Sequence, residues 1–154
     1  GADGLDKVVF TASTNTGTDA APINKIASGG ELARFMLALK VNLATSENIP
    51  TLVFDEVDSA IGGATASAVG ERLARLAREN CQVLVITHSP QVASFGTHHF
   101  RVEKDDMDGK TVTNVRELTD SERREEIARM LSGAEITDAS RAAAVELLKN
   151  RTHA

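Results

Sequence analysis

From Leu32 onward the apolar positions fall at Leu32, Phe35, Met36, Leu39 and Leu43. That spacing of threes and fours places them on one helical face, so it predicts a helix ending before Pro50. The period then changes. Thr51-Leu-Val-Phe54 is a short unbroken apolar run between Pro50 and Asp55, as expected of a central strand covered on both faces. After Gly62-Gly63 the helical spacing returns at Ala66, Val69, Leu73 and Leu76, and Val83-Leu-Val-Ile86 repeats the buried-strand run. Helix, strand, helix, strand in that order predicts a parallel sheet with crossover helices.

The flanks read differently. Leu5 to Thr11, with Val8, Val9 and Phe10, predicts a strand, and the small polar residues from Ser13 to Asp19 a loop. His99 to Glu103 and Thr111 to Leu118 predict a hairpin that turns through Asp105-Asp-Met-Asp-Gly109. Thr119 and Glu122 have capping-box spacing ahead of a helix carrying Ile127, Met130 and Leu131, which Gly133 closes. Thr137 or Asp138 starts a last helix with Ala142, Val145 and Leu148 along one side. No internal repeat or long linker interrupts residues 1–154, which read as a single α/β domain.

Composition narrows the function. With 42% apolar and 25% charged residues the chain has the make-up of a soluble globular protein. Seventeen Lys and Arg against 22 Asp and Glu give a formal charge of -5, which argues against a polybasic nucleic-acid arm. Arg72, Arg75 and Arg78 line one side of a helix, a spacing that suits a solvated face. Five Phe with no Trp or Tyr do not make a base-stacking platform. The lone Cys81 cannot form an internal disulfide or a Cys-rich zinc site and suits a reducing cytosol, and His98 and His99 have no partners for a metal. No apolar run approaches the roughly 18 residues of a membrane span. The first residues, Gly-Ala-Asp-Gly, hold neither a secretory pattern nor a Met, and read as the start of an excised piece.

Three segments carry candidate chemistry. In Lys25-Ile-Ala-Ser-Gly-Gly-Glu-Leu-Ala-Arg34, the residues Ser28, Gly29, Gly30 and Glu31 fall where a helix begins. Helix-start N–H groups have no internal partner, and two glycines let an anion approach them closely. Ser28 and Glu31 also have the spacing of a plain capping box. In Thr51-Leu-Val-Phe-Asp-Glu56, two carboxylates follow a buried strand, at the sheet edge where open α/β folds bind ligands. Asp55 there suits a Mg²⁺ ion held through its water shell, and Glu56 a base for an attacking water. The alternative is that both acids solvate a loop and cap the next helix. In Val83-Leu-Val-Ile-Thr-His-Ser-Pro90, His88 ends the neighbouring strand, where an imidazole can hydrogen-bond a terminal phosphate.

Taken in order, these segments resemble the C-terminal half of an ABC-type ATPase. Ser28-Gly-Gly-Glu31 is similar to the signature motif, Leu52 to Glu56 to Walker B, Asp58 to the D-loop and His88 to the switch histidine. Glu56-Val-Asp-Ser-Ala-Ile-Gly-Gly63 lacks the Pro-Thr-Ser phrase of transporter subunits and resembles the SMC-related branch. Lys25 to Arg34 with Phe35-Met-Leu-Ala-Leu-Lys40, together with Glu126-Ile-Ala-Arg-Met-Leu-Ser-Gly133, resembles the RecN family of bacterial SMC-like DNA repair ATPases. The likeness runs from about Val8 to Leu148; Ala60 departs from it, where such sequences often carry Gly.

The resemblance implies the C-terminal lobe of a split ABC/SMC-type P-loop NTPase head, a mostly parallel sheet flanked by helices with a terminal hairpin and further helices. It implies ATP and Mg²⁺ as ligands, ATP hydrolysis in the full-length protein and a role in recombinational repair of DNA breaks in the cytoplasm, at the nucleoid. Partners would be the N-terminal Walker A lobe, a second copy of the head, and DNA, with no membrane. Ser28, Gly29, Gly30 and Glu31 would contact the nucleotide of the second head, Asp58 would cross the interface, and Asp55, Glu56 and His88 would serve their own nucleotide. No phosphate-cradling G-x-x-x-x-G-K-[ST] is present: Gly109-Lys110-Thr111 lies in the expected hairpin, with Lys104 at the first glycine position. The chain alone is therefore expected to be inactive. A non-catalytic structural or interaction module of an SMC-like protein, and a transporter or chaperone ATPase half, are the competing readings.

Overall fold

A computed structural model describes residues 4–5, 8–13, 17, 19–25, 35–39, 50–55, 58, 61–78, 81–107, 109–133 and 135–150. Strands β1 (Thr11–Ala12) and β2 (Ala21–Pro22) pair antiparallel, and a 3-10 turn follows at Ile23–Lys25. Residues 35–39 are helical and are designated α1. The centre is β3 (Thr51–Asp55), α2 (Gly63–Arg78) and β4 (Gln82–Ile86), followed by the short α3 (Pro90–Ser94). The chain continues through β5 (Phe100–Met107), β6 (Lys110–Glu117), α4 (Asp120–Ser132) and α5 (Asp138–Asn150).

β3 and β4 pair in parallel, with Thr51 opposite Gln82 and Asp55 opposite Ile86. A parallel pair needs a long crossover, which α2 supplies. Leu52 and Phe54 on β3 lie on the same face as Val83 and Val85 on β4, and that face packs on Ala66, Val69, Leu73 and Leu76 of α2. Leu37 of α1, Ile61 and Val92 of α3 complete this cluster. Along α2, Gly70 is there for close approach: a Cβ at that position would lie 2.5 Å from Phe95 Cδ2.

The opposite face of the pair departs from the expectation of strands covered on both sides. Val53 is 59%, Leu84 47% and Ile86 55% exposed, and they stand side by side in the register. A continuous apolar run states that both faces avoid water, not that one chain supplies both covers. The amino-terminal strand is likewise shorter than its Val8-Val9-Phe10 pattern suggests. These residues are exposed and outside β1, which among the described residues pairs with two residues of β2. Strand propensity reflects fit to a packed, pleated surface, and no described residue lies over these side chains.

β5 and β6 form the expected hairpin, but the strands run on to Met107 and Lys110, which pair directly. The connection is therefore shorter than the five-residue turn anticipated, with Gly109 at φ 75. Thr111 Oγ1 donates to Asp106 Oδ1 at 2.9 Å and Asn114 Nδ2 to Asp105 Oδ2 at 2.8 Å, so residues expected in the turn support the ladder instead. Gly109-Lys110-Thr111 is hairpin, a context with no helix start for phosphate.

α4 and α5 pack on each other through Ile127, Ala128 and Ala144, with Met130, Leu131, Leu147 and Leu148 around them and Ala93 of α3 joining from the first cluster's side. On α5 the inward stripe is Ser140, Ala144, Leu147 and Leu148; Ala142 is exposed, because the helix is rotated from the face its apolar spacing suggested. Gly133, at φ 75, ends α4 as anticipated.

The capping box of α4 is complete. Thr119 Oγ1 accepts from Glu122 N at 3.4 Å, and Glu122 Oε2 accepts from Thr119 N at 2.9 Å. Those bonds from Thr119, with Arg116 beside it, hold the Glu122 carboxyl down at about 2. A depressed carboxyl stabilises the fold above its unfolded value of 4.5 and loses that contribution as pH falls toward about 2. Thermal unfolding of the wild type and Glu122→Gln should thus differ at pH 6, with the wild type more stable, and converge as pH approaches 2. A gap that stays constant across that range would contradict the assignment.

Candidate functional site

Because β3 and β4 run in parallel and in register, the residues that follow each strand emerge at the same edge. Asp55, the last residue of β3, is exposed there. Thr87, His88 and Ser89 follow β4, and Ser89 becomes the N-cap of α3, accepting from Val92 N at 3.4 Å with Pro90 at the helix start.

Asp58 joins the two strand ends. Its side chain is buried, and one carboxylate oxygen, Oδ2, accepts from Thr87 Oγ1 at 2.6 Å, Ser89 N at 2.7 Å and His88 N at 3.1 Å. The Ser89 N–H is shared with Thr87 Oγ1 at 3.0 Å. Three donors on one charged oxygen compensate for its removal from water. The other oxygen, Oδ1, is buried without a hydrogen-bond partner among the described residues. The His88 imidazole behaves oppositely to its own backbone: the N–H is tied to Asp58 while the ring is 75% exposed, its Nδ1 3.5 Å from Oδ2.

A second polar cluster fixes the segment that leads away from the edge. Arg123 of α4 is buried and donates from Nη2 to the carbonyls of Ser94 at 2.9 Å, Ala93 at 3.2 Å and Gly96. It thereby gathers carbonyls at and just past the end of α3, of which Ala93 O also accepts from Gly96 N at 3.3 Å. Nearby, Glu126 is held below the usual carboxylate range by its hydrogen bonds from Arg129, with Arg101 contributing. Burial, reinforced by Arg123, lowers the His99 imidazole.

Of the residues the sequence singled out, Asp55, Asp58 and His88 come together at this edge. Glu56, Ser28, Gly29, Gly30 and Glu31 lie outside the described residues. The Asp58 side chain, anticipated at an interface with a second head, is turned into its own chain. Thr87, Ser89 and Arg123 were not singled out. The Ser-Pro step marked a helix cap, and Arg123 shares an i, i+4 stripe with Ile127 and Leu131, which is a sign of an inward-facing charge.

Among the described residues the edge offers the exposed carboxylate of Asp55 as a metal ligand, and no group of three or more His, Cys, Asp or Glu that could hold a metal occurs among them.

No family model matches the chain. Known proteins do. It is 54% identical to the DNA repair protein RecN of Rickettsia conorii over 147 residues, 96% of this chain and 27% of that protein. It is 50% identical to RecN of Haemophilus influenzae over 147 residues, 96% and 26%, and 53% identical to RecN of Deinococcus radiodurans over 130 residues, 84% and 22%. The sequence belongs to the RecN family. The match lies in the C-terminal part of the RecN proteins, and the chain spans about a quarter of their length. Among solved structures, a chain from work on ATP-driven dimerization and DNA-stimulated activation of SMC ATPases superposes with TM-score 0.59 at 22% identity, over 77% of this chain and 70% of that one. The fold is thus the α/β fold of an SMC-type ATPase head.

In this RecN-family chain, Arg123 holds the carbonyls at the end of α3, beyond His88. Arg123→Lys retains the charge but not the guanidinium Nη2 that reaches three carbonyls. Chemical denaturation should show a loss of roughly 1.5–3 kcal/mol, the range for hydrogen bonds to a charged group. An unchanged midpoint would show that the carbonyls of 93–96 do not depend on it.

Proposed function

We propose that this chain is the C-terminal lobe of the ATPase head of a RecN-type DNA break repair protein, acting in the cytoplasm at the nucleoid. The observation that carries the reading is the shared strand edge, where the Walker B-like Asp55 and the switch-like His88 emerge side by side from paired parallel strands. Asp55 would hold Mg²⁺ through its water shell, and the ion would supply charge neutralisation on the phosphates of ATP. Glu56, next along the chain, would orient and deprotonate the attacking water. His88, projecting from a fixed backbone into solvent, would hydrogen-bond the terminal phosphate and report its departure. Ser28, Gly29, Gly30 and Glu31 would present helix-start N–H groups to the nucleotide of a second head, with the segment around Asp58 at that interface.

The exposed apolar face formed by Val53, Leu84 and Ile86 supports the lobe's being half of a body. Contiguous apolar surface on a sheet calls for a cover. The upstream Walker A lobe of the same protein would supply it, together with the phosphate cradle that this chain lacks. ATP-dependent pairing of two complete heads, and their release on hydrolysis, would then couple phosphate chemistry to opening and closing around DNA. No helix among the described residues is long and apolar enough to cross a membrane.

Two measurements test this. In the whole protein, Glu56→Gln should leave ATP affinity within about threefold while cutting steady-state turnover by roughly 10²-fold or more, the scale of a lost general base. Turnover near that of the wild type would remove Glu56 from the role. The purified chain should show no ATPase of its own and should gain it when a separately purified Walker A lobe is added. If addition of that lobe restored nothing, while the whole protein hydrolysed ATP, the lobe would be a structural module and its motifs folding elements.

A further inference from the structure

We propose that Asp58 is the positioning residue for His88, its carboxylate holding the 87–89 loop in place. The inference rests on the reading of His88 as a phosphate contact, and it goes beyond that reading by naming what holds the histidine in place. Three features carry it. The carboxylate is buried, at 2% exposure, so water does not compete for it. Its Oδ2 gathers the hydroxyl of the residue before His88, the N–H of His88 itself and the N–H of the residue after it, at 2.6, 3.1 and 2.7 Å. And the ring it leaves outside is largely exposed, so the ring's place is set through its backbone and not by packing around it.

The two elements joined are far apart in sequence, at |i−j| of 29 to 31, and near in space only because β3 and β4 pair. Asp58 lies three residues past the end of β3, so any shift of the chain there pulls directly on the loop that carries His88. Among the described residues the other bonds from this loop are local to α3: Ser89 Oγ accepts from Val92 N and donates to Gln91 Oε1, and Ser89 O accepts from Ala93 N, while Arg123 Nη2 holds the carbonyls from Ala93 on. Charged acceptors make hydrogen bonds roughly twice as strong as neutral ones. Replacing the carboxylate by an amide of the same shape therefore loosens the loop without emptying the site.

The experiment is a double-mutant cycle in the whole protein, with ATPase kinetics and amide hydrogen exchange read on each member. Asp58→Asn should lower kcat about tenfold with KM within about twofold, and should cost less than about twofold in a His88→Ala background, because residues acting through one another are not additive. Thr87→Val, which removes one donor and keeps the shape, should behave the same way with a smaller effect and covers the case in which Asp58→Asn does not fold. Exchange at the 87–89 amides should quicken in Asp58→Asn while α4 stays protected. An equal loss in both backgrounds, or no loss in either, would overturn the positioning role, as would unchanged exchange at 87–89. A wild-type protein without ATPase would instead sink the functional reading, and the exchange data would still decide the tether.

Discussion

Parallel pairing of β3 with β4 is the constraint on which the rest of this lobe depends. Two strands that run the same way deliver their next residues to one edge, and the register that sets Asp55 opposite Ile86 makes that edge sharp. Antiparallel pairing would send Asp55 and His88 to opposite ends of the sheet. The crossover helix α2 then has to lie over one face, which fixes where Ala66, Leu73 and Leu76 bury and where the first core forms. The site is therefore a consequence of topology first and of side-chain chemistry second.

What the edge adds is a polar device that periodicity does not reveal. Asp58 is an acid in a short polar stretch, and by composition it belongs on a surface. Burial becomes tolerable only because Thr87, His88 and Ser89 bring three donors to it from a strand 30 residues away in the chain. Arg123 is the mirror case, a buried cation whose charge is met by carbonyls at the end of α3. Asp58 holds the loop around His88 directly, Arg123 holds the carbonyls of 93, 94 and 96 beyond it, and the imidazole is left exposed.

The middle of the fold was legible in the sequence because its signals are local and redundant. The unbroken runs at 51–54 and 83–86, the helical spacing between them, the Thr119-Glu122 box and the Gly133 stop all agree with one another, and each forms as expected. The misses share a cause. Val8 to Phe10, the outer face of β3 and β4, and the rotation of α5 each depend on what covers an apolar residue, and hydropathy records only that a cover is wanted. The hairpin turn was placed too wide because Asp105 and Asp106 have turn composition, yet they lie in the ladder and their side chains accept from Asn114 and Thr111. That Asp55 and His88 reach one sheet edge was legible from their places at the ends of two apolar runs; Asp58's inward turn was not, since its partners are distant in sequence.

The open apolar face of β3 and β4 and the missing phosphate cradle describe the same deficit from two sides. The chain spans about a quarter of the length of its RecN relatives, and under the proposed reading both features would be met by the Walker A lobe. The most direct test is a crystal structure of the whole protein with a non-hydrolysable ATP analogue and Mg²⁺. The account predicts the γ-phosphate at the common edge of β3 and β4, flanked by Asp55 and His88, with Val53, Leu84 and Ile86 covered by the upstream lobe. A nucleotide bound away from that edge, with those three side chains still in solvent, would contradict it.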